Sequence, residues 1–243
     1  MLLTDLVRNT RKPKQFNSIM RTIFLAVSVL TVHTLYAQTA KWDSTFRPNN
    51  YHLKVGLFKS LVNSKKDVIF LGNSITAGVD WNELLDMKHA RNRGISGDIT
   101  FGVLERLNEV IEGKPAKVVI LIGINDISRN IPDSLIIGNY RKMISRIQAG
   151  SPKTKIYLQT LLPVNNEFTQ FKNHYNKDEH ILLVNNALKE IAKTYHVQLI
   201  DLYPHFQDTT GKLNKQFTED GLHLNAAGYQ HWATILKNGR YLN

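Results

Sequence analysis

Five short apolar runs punctuate the chain, and the stretches between them carry apolar residues at helical spacing. Residues 68–71 read as a buried strand ending in Gly72, Asn73 and Ser74, and residues 89–93 as a second, more polar strand. Residues 118–122 form the longest unbroken apolar run and read as the central strand, with 156–158 and 197–202 as the fourth and fifth. Between them, Ile99, Val103, Leu104, Leu107, Val110 and Ile111 predict a helix over 99–112, stopped by Gly113 with Pro115 beyond. Pro132-Asp133-Ser134 opens a second helix with Ile136, Tyr140, Met143, Ile144 and Ile147 on one stripe. Ile181, Val184, Leu188, Ile191, Ala192 and Tyr195 mark a third, and 226–236 a last one. Strand and helix alternate without an internal repeat. The expected fold is therefore α/β, a three-layer α/β/α sandwich on a five-stranded parallel sheet. In such sheets ligands collect at the carboxyl ends of the strands, where Ser74, Gly94, the 123–126 loop and the 220–223 loop all fall.

The amino-terminal region has a different texture. Arg8, Arg11, Lys12, Lys14 and Arg21 precede a mostly apolar run over 23–35, broken by Ser28, Thr31, His33 and Thr34, and Leu35-Tyr36-Ala37 supplies a small residue for cleavage. That run suits the h-region of a secretory signal better than a membrane span. Residues 1–37 are thus expected to be an upstream extension plus signal peptide, with Met20 as a second candidate start; the competing reading is an amphipathic helix docked on the domain. Export to the periplasm or the extracellular space follows, with no stable membrane insertion of the mature chain. Residues 38–62 read as a lead-in with a helix over 51–62, and 63–243 as the domain.

Charge changes this picture little. The net charge of +11 drops to +7 once the five Lys/Arg and one Asp of residues 1–37 are removed, and no basic run with interleaved aromatics remains. Nucleic acid is not an expected partner. Residues 72–78 lack the Gly-Lys-Ser/Thr of a phosphate loop, there is no His-Glu-x-x-His, and no Cys, so neither cofactor nor metal is expected.

The candidate chemistry is nucleophilic. Asp220 and His223 stand three apart around Gly221, a spacing that lets the carboxylate reach one imidazole nitrogen while the other points elsewhere. Ser74 needs such a pair, because imidazole takes the hydroxyl proton during attack on a carbonyl and the carboxylate holds the tautomer. The oxyanion needs donors, and the Ser74 N–H, the Gly94 N–H and the Asn125 side-chain amide are the candidates. Each piece has a plainer reading: a turn or structural histidine for Asp220 and His223, an Asx helix cap for Asn125-Asp126, a positive-φ residue for Gly94. Asp201 and His205 form a rival acid/histidine pair, taken as structural or substrate-side. The long 163–178 loop carries Asn165, Asn166, Phe168, Phe171, His174 and Tyr175, and loops of that length are usually functional.

Gly72-Asn73-Ser74, Arg93-Gly94, Gly123-Ile124-Asn125-Asp126 and Asp220-Gly221-Leu222-His223, in that order, resemble the four motif blocks of the SGNH superfamily of GDSL-type esterases and acylhydrolases. The resemblance implies a flavodoxin-like sheet, a catalytic Ser74, His223 and Asp220, and an oxyanion hole of Ser74, Gly94 and Asn125. It departs from the family at Asn73, where Asp is usual. Together with the leader read above, it implies an exported serine esterase that removes a small acyl group, acetyl above all, from a small-molecule or glycan ester, by analogy with sialate O-acetylesterase-like and other carbohydrate-deacetylating branches. The alternatives are a lysophospholipase or thioesterase-like acylhydrolase, and a non-catalytic glycan-binding domain in which the aromatic loop serves recognition only.

Overall fold

A computed structural model describes residues 42–242. The expected upstream extension and signal peptide lie outside the described residues. Five parallel strands, β1 (Val68–Gly72), β2 (Ala90–Gly94), β3 (Lys117–Leu121), β4 (Lys155–Gln159) and β5 (Gln198–Ile200), form one sheet in the order β2-β1-β3-β4-β5. Every residue of β1 and β3 is buried, as their continuous apolar sequence requires of strands covered on both faces. β5 is shorter than its apolar run, because Leu202 N–H already turns back to Ile200 O (3.1 Å).

The helices are α1 (Tyr51–Ser60), α2 (Ser74–Ala77), α3 (Trp81–Leu85), α4 (Thr100–Glu112), α5 (Ile124–Ser128), α6 (Asp133–Gly150), α7 (Asp178–Thr194), α8 (Tyr203–Phe206) and α9 (Ala226–Asn238). The chain moves one way from β1 to β2 and the opposite way from β2 to β3. Right-handed crossovers therefore put α2 and α3 on one face and α4 on the other. α4, α6 and α7 pack side by side, and α3 packs against α9. The reversal of direction makes a crevice beyond the carboxyl ends of β1 and β3, with Gly72 in register with Leu121.

From Trp42 onward the described residues form one compact unit, in which α1 packs with the other elements. Tyr51 and Phe58 of α1 are buried against Ile95, and the Tyr51 hydroxyl donates to Gly102 O (2.7 Å). Phe58 lays its ring over the guanidinium groups of Arg93 (4.9 Å) and Arg106 (5.9 Å). Beneath that cover Arg93 pairs with Glu109 (2.6 Å) and Arg106 with Asp98 (3.0 Å), both pairs almost solvent-free. Arg106 also donates to Gly72 O (3.1 Å), which ties the end of β1 to the Asp98 turn.

α4 starts at a residue, Ile99, that cannot cap it. Asp126 of α5 does so instead, accepting from Thr100 N–H (3.0 and 3.1 Å) and from the Thr100 hydroxyl (2.5 Å), while Asn139 donates to the same hydroxyl (2.8 Å). Burial outweighs these bonds and pushes the Asp126 carboxyl up to about 7 from 3.8. The folded protein therefore holds a proton that the unfolded chain releases above its lower pKa, so stability falls as pH rises from about 4 to 7 and levels off above. Urea unfolding of wild type and Asp126→Asn from pH 5 to 8 checks this. The variant should gain on wild type by on the order of 2 to 3 kcal/mol over that range, at ~1.4 kcal/mol per pKa unit. A difference independent of pH would show that Asp126 is ionised throughout.

Candidate active site

Ser74 stands at the first position of α2, directly after β1. Asn73 precedes it as the helix cap: its Oδ1 accepts from Ile75 N–H (3.0 Å) and its backbone O from Ala77 N–H (2.9 Å). The side-chain role is that of an acceptor, so an amide fills it as a carboxylate would, without placing a charge in a site only 1% exposed. With Asn73 engaged in this way, Ser74 N–H is left with no partner among the described residues, as expected at the first turn of a helix. The turn is anchored from behind. Trp81 Nε1–H donates to Thr76 O (2.9 Å), Tyr229 O–H donates to Ile75 O (2.9 Å), and Trp81 lies between a stacked Phe70 (4.0 Å) and the edge of Trp232 (4.7 Å).

The 220–223 turn reaches the hydroxyl. Ser74 Oγ donates to His223 Nε2 (3.0 Å), and His223 Nδ1 donates to Asp220 Oδ2 (2.8 Å). The other carboxylate oxygen, Oδ1, accepts from His223 N–H (2.7 Å) and Leu222 N–H (2.9 Å). Burial pushes the Asp220 carboxyl up, but these hydrogen bonds and the nearby imidazole outweigh it and hold it below its ordinary value. An ionised Asp220 fixes the tautomer in which Nε2 carries the lone pair facing Ser74. Gly221 has φ +77°, and a Cβ there would lie 2.4 Å from Asn165 O, so only glycine makes this turn without displacing the 163–177 loop.

Asn125 follows β3 and meets the same crevice. Its Nδ2 donates to Asp98 O (3.0 Å) and its Oδ1 faces His174 Nε2 (3.0 Å). Asn125 and Asp126 thus clamp one turn, residues 98–100, from two sides.

Gly94 does not offer the expected donor. Its N–H is spent on Asn92 Oδ1 (2.8 Å), and the residue is glycine because a Cβ would meet Ala77 N at 2.4 Å where α2 crosses β2. A different glycine with a free N–H is Gly97, three residues on. It has φ +81°, its N–H has no partner among the described residues, and it directly precedes Asp98, whose carbonyl Asn125 holds. Ser96-Gly97-Asp98, a turn signal in the sequence, could have pointed to it.

The 163–177 loop closes the crevice from the carboxyl side. Asn165 N–H donates to Gly221 O (2.8 Å), and Tyr175 O–H donates to Asp220 O (2.5 Å). Phe171 meets His223 edge to face at 4.9 Å and His174 at 5.9 Å. The rival pair is not a dyad: Asp201 accepts from Thr160 Oγ (2.9 Å) and pairs with Lys189 (2.9 Å), while His205 makes no bond to it. Among the described residues no cluster of three or more His, Cys, Asp or Glu could hold a metal ion. Likewise none of the described helices is long and apolar enough to cross a membrane.

A hydroxyl, an imidazole and a carboxylate linked by hydrogen bonds are an arrangement chemically able to transfer an acyl group through a serine ester. The profile of the GDSL-like lipase/acylhydrolase family matches residues 70–231, which span every residue of that constellation. The chain belongs to this family. Platelet-activating factor acetylhydrolase IB subunit alpha2 of Rattus norvegicus is 30% identical over 174 residues, covering 69% of this chain and 72% of that protein, and its Homo sapiens counterpart matches equally. Among solved structures, a GDSL-like lipase from Bacteroides thetaiotaomicron superposes with a TM-score of 0.68 at 27% identity, covering 78% of this chain and 96% of that one. An acetyl xylan esterase shares the fold at TM-score 0.60 and 24% identity, over 71% of this chain and 98% of its own. These likenesses make the protein an ester-hydrolysing enzyme of the SGNH/GDSL superfamily with the five-stranded parallel fold expected of it.

Proposed function

We propose that the enzyme is an exported esterase that removes acetyl groups from oxygen esters, most of all on carbohydrate, through Ser74, His223 and Asp220. The observation that carries this is the unbroken relay from Ser74 Oγ to His223 Nε2 (3.0 Å) and from His223 Nδ1 to Asp220 (2.8 Å). Ser74 attacks the ester carbonyl as His223 takes its proton. The negative oxygen that forms is held by Ser74 N–H, Gly97 N–H and the second N–H of the Asn125 amide. His223 then returns the proton to the departing alcohol. Water, deprotonated by the same imidazole, releases the acid from Ser74.

One observation supports a short acyl group. The acetylhydrolase relatives carry that acyl group in their name. Export rests on the character of residues 1–37, and the carbohydrate preference on that expectation together with the resemblance to carbohydrate-deacetylating branches.

Measuring kcat/KM along p-nitrophenyl acetate, butyrate, hexanoate and octanoate, then on acetylated sugars and a lysophospholipid, tests the reading. kcat/KM should fall on the order of 10-fold or more from acetate to hexanoate, as expected of a site selective for acetyl. A rate that rises with chain length, or turnover confined to the lysophospholipid, would replace this reading with the long-chain acylhydrolase one.

A further inference from the structure

His174 lies on the 163–177 loop, outside the four motif blocks that carry the family resemblance, and yet it bonds directly to an oxyanion residue. Its Nε2 is 3.0 Å from Asn125 Oδ1. The orientation of that amide is fixed by chemistry. Asn125 also approaches Asp98 O at 3.0 Å, and a backbone carbonyl only accepts, so Nδ2 must face Asp98 and Oδ1 must face His174. Nε2 of His174 must then carry the proton. Its Nδ1 is consequently a bare lone pair, and it is buried without a hydrogen-bond partner. Burial, with the nearby His223 and Arg129 charges adding to it, holds this imidazole down to about 4, against smaller opposing effects of the Phe171 backbone and of Asp220. The ring therefore stays neutral across the range in which the esterase works, and its single N–H has one recipient.

The loop that delivers His174 also holds the other half of the site. Tyr175 O–H donates to Asp220 O (2.5 Å), Phe171 N–H donates to the same phenol oxygen (3.1 Å), and His174 N–H donates to Phe171 O (2.8 Å). One short segment is thus bonded both to the acid/histidine turn and to the Asn125 amide.

We infer that His174 is a positioning residue for oxyanion stabilisation: its Nε2–H holds the Asn125 amide in the one orientation that spends one Nδ2 hydrogen on Asp98 O and leaves the other for the substrate oxygen. Without this donor, Asn125 Oδ1 is a buried acceptor with no partner, and the amide gains by turning about its side-chain bonds to find one. The donor then leaves the line of the developing charge. The inference rests on the assignment of Asn125 to the oxyanion hole in the reading above. A bond that matters only as charge develops should appear in kcat and leave KM nearly unchanged.

A double-mutant cycle on p-nitrophenyl acetate is the test, with His174→Phe (which keeps a ring and removes the donor), His174→Gln (which can restore an N–H), Asn125→Ala, the double variant Asn125→Ala/His174→Phe, and Ser74→Ala in parallel. His174→Phe should lower kcat on the order of 10-fold with KM within about 2-fold. His174→Gln should recover most of the loss, and the double variant should be no slower than Asn125→Ala alone. A full further loss in the Asn125→Ala background, or a folded His174→Phe with wild-type kcat, overturns the inference. Should His174→Phe lose its melting transition, His174→Leu takes its place in the cycle, and loss of folding in both assigns the residue to structure and overturns the inference as well. Ser74→Ala separates the two levels: activity that survives it sinks the underlying site, whereas an inactive Ser74→Ala with an additive cycle sinks the role of His174 alone.

Discussion

Ser74→Ala is expected to lower kcat for an acetyl ester on the order of 10⁴-fold or more while leaving the folded protein as stable as wild type. The hydroxyl makes one hydrogen bond, to His223, and the residue is half-buried at the open end of the crevice, so nothing in the core depends on it. The anchors of its turn are other groups: the Asn73 side chain, Trp81 Nε1–H and the Tyr229 hydroxyl. Because attack, proton transfer and acyl-enzyme formation all need the same oxygen, adding His223→Ala to Ser74→Ala should cost almost nothing further. Steady-state rates for the single and double variants, beside urea midpoints, check both halves of the statement. Retention of more than about a tenth of the wild-type kcat in Ser74→Ala would mean that another group attacks the ester.

How far the sequence revealed this site depended on whether the determining interactions were local. β1 and β3 were legible because continuous apolar sequence has few other uses in a chain of this length, and their carboxyl ends lead straight to Ser74 and Asn125. The Asp220-to-His223 geometry was legible because it is contained in four residues. Gly94 was misread because the reason for that glycine is remote: the backbone of Ala77, seventeen positions earlier, needs the space a Cβ would take, and Asn92 absorbs the N–H. Gly97 carried a local turn signal, yet what makes it useful is the clamp of Asn125 on the next peptide, which only the tertiary structure supplies.

The same holds for charge. Arg106 and Glu109 of α4 are both almost fully buried, and Phe58 of α1 lies over the Arg106 guanidinium. Beneath the site, Arg106 joins Asp98 to Gly72 O. The capping alternative weighed for Asn125-Asp126 also holds in an altered form. Asp126 does cap a helix, but the helix is α4 and not its own. Asn73 was legible as a departure from the family pattern, and the position needs an acceptor, which either side chain provides.

Asn125→Ala should lower kcat on the order of 10²- to 10³-fold with KM changed little, the size expected when one preorganised donor to an oxyanion is removed. The expectation follows from what is already spent at the site. Asn125 gives one Nδ2 hydrogen to Asp98 O and accepts at Oδ1 from His174, so the free hydrogen is held from both sides before substrate arrives. That holding is why the donor counts in the transition state: no reorganisation is needed as the charge appears. Truncation also strands Asp98 O and the His174 N–H, so a loss of stability of about 1 to 3 kcal/mol should accompany the kinetic effect. Asn125→Asp separates the two consequences. It keeps an acceptor for His174 and supplies no donor to the oxygen, so it should be at least as slow as Asn125→Ala whatever its melting temperature. If Asn125→Asp instead kept more than about a tenth of the wild-type kcat, the oxyanion would be held by Ser74 N–H and Gly97 N–H alone, and Asn125 would serve only to fasten the turn at Asp98.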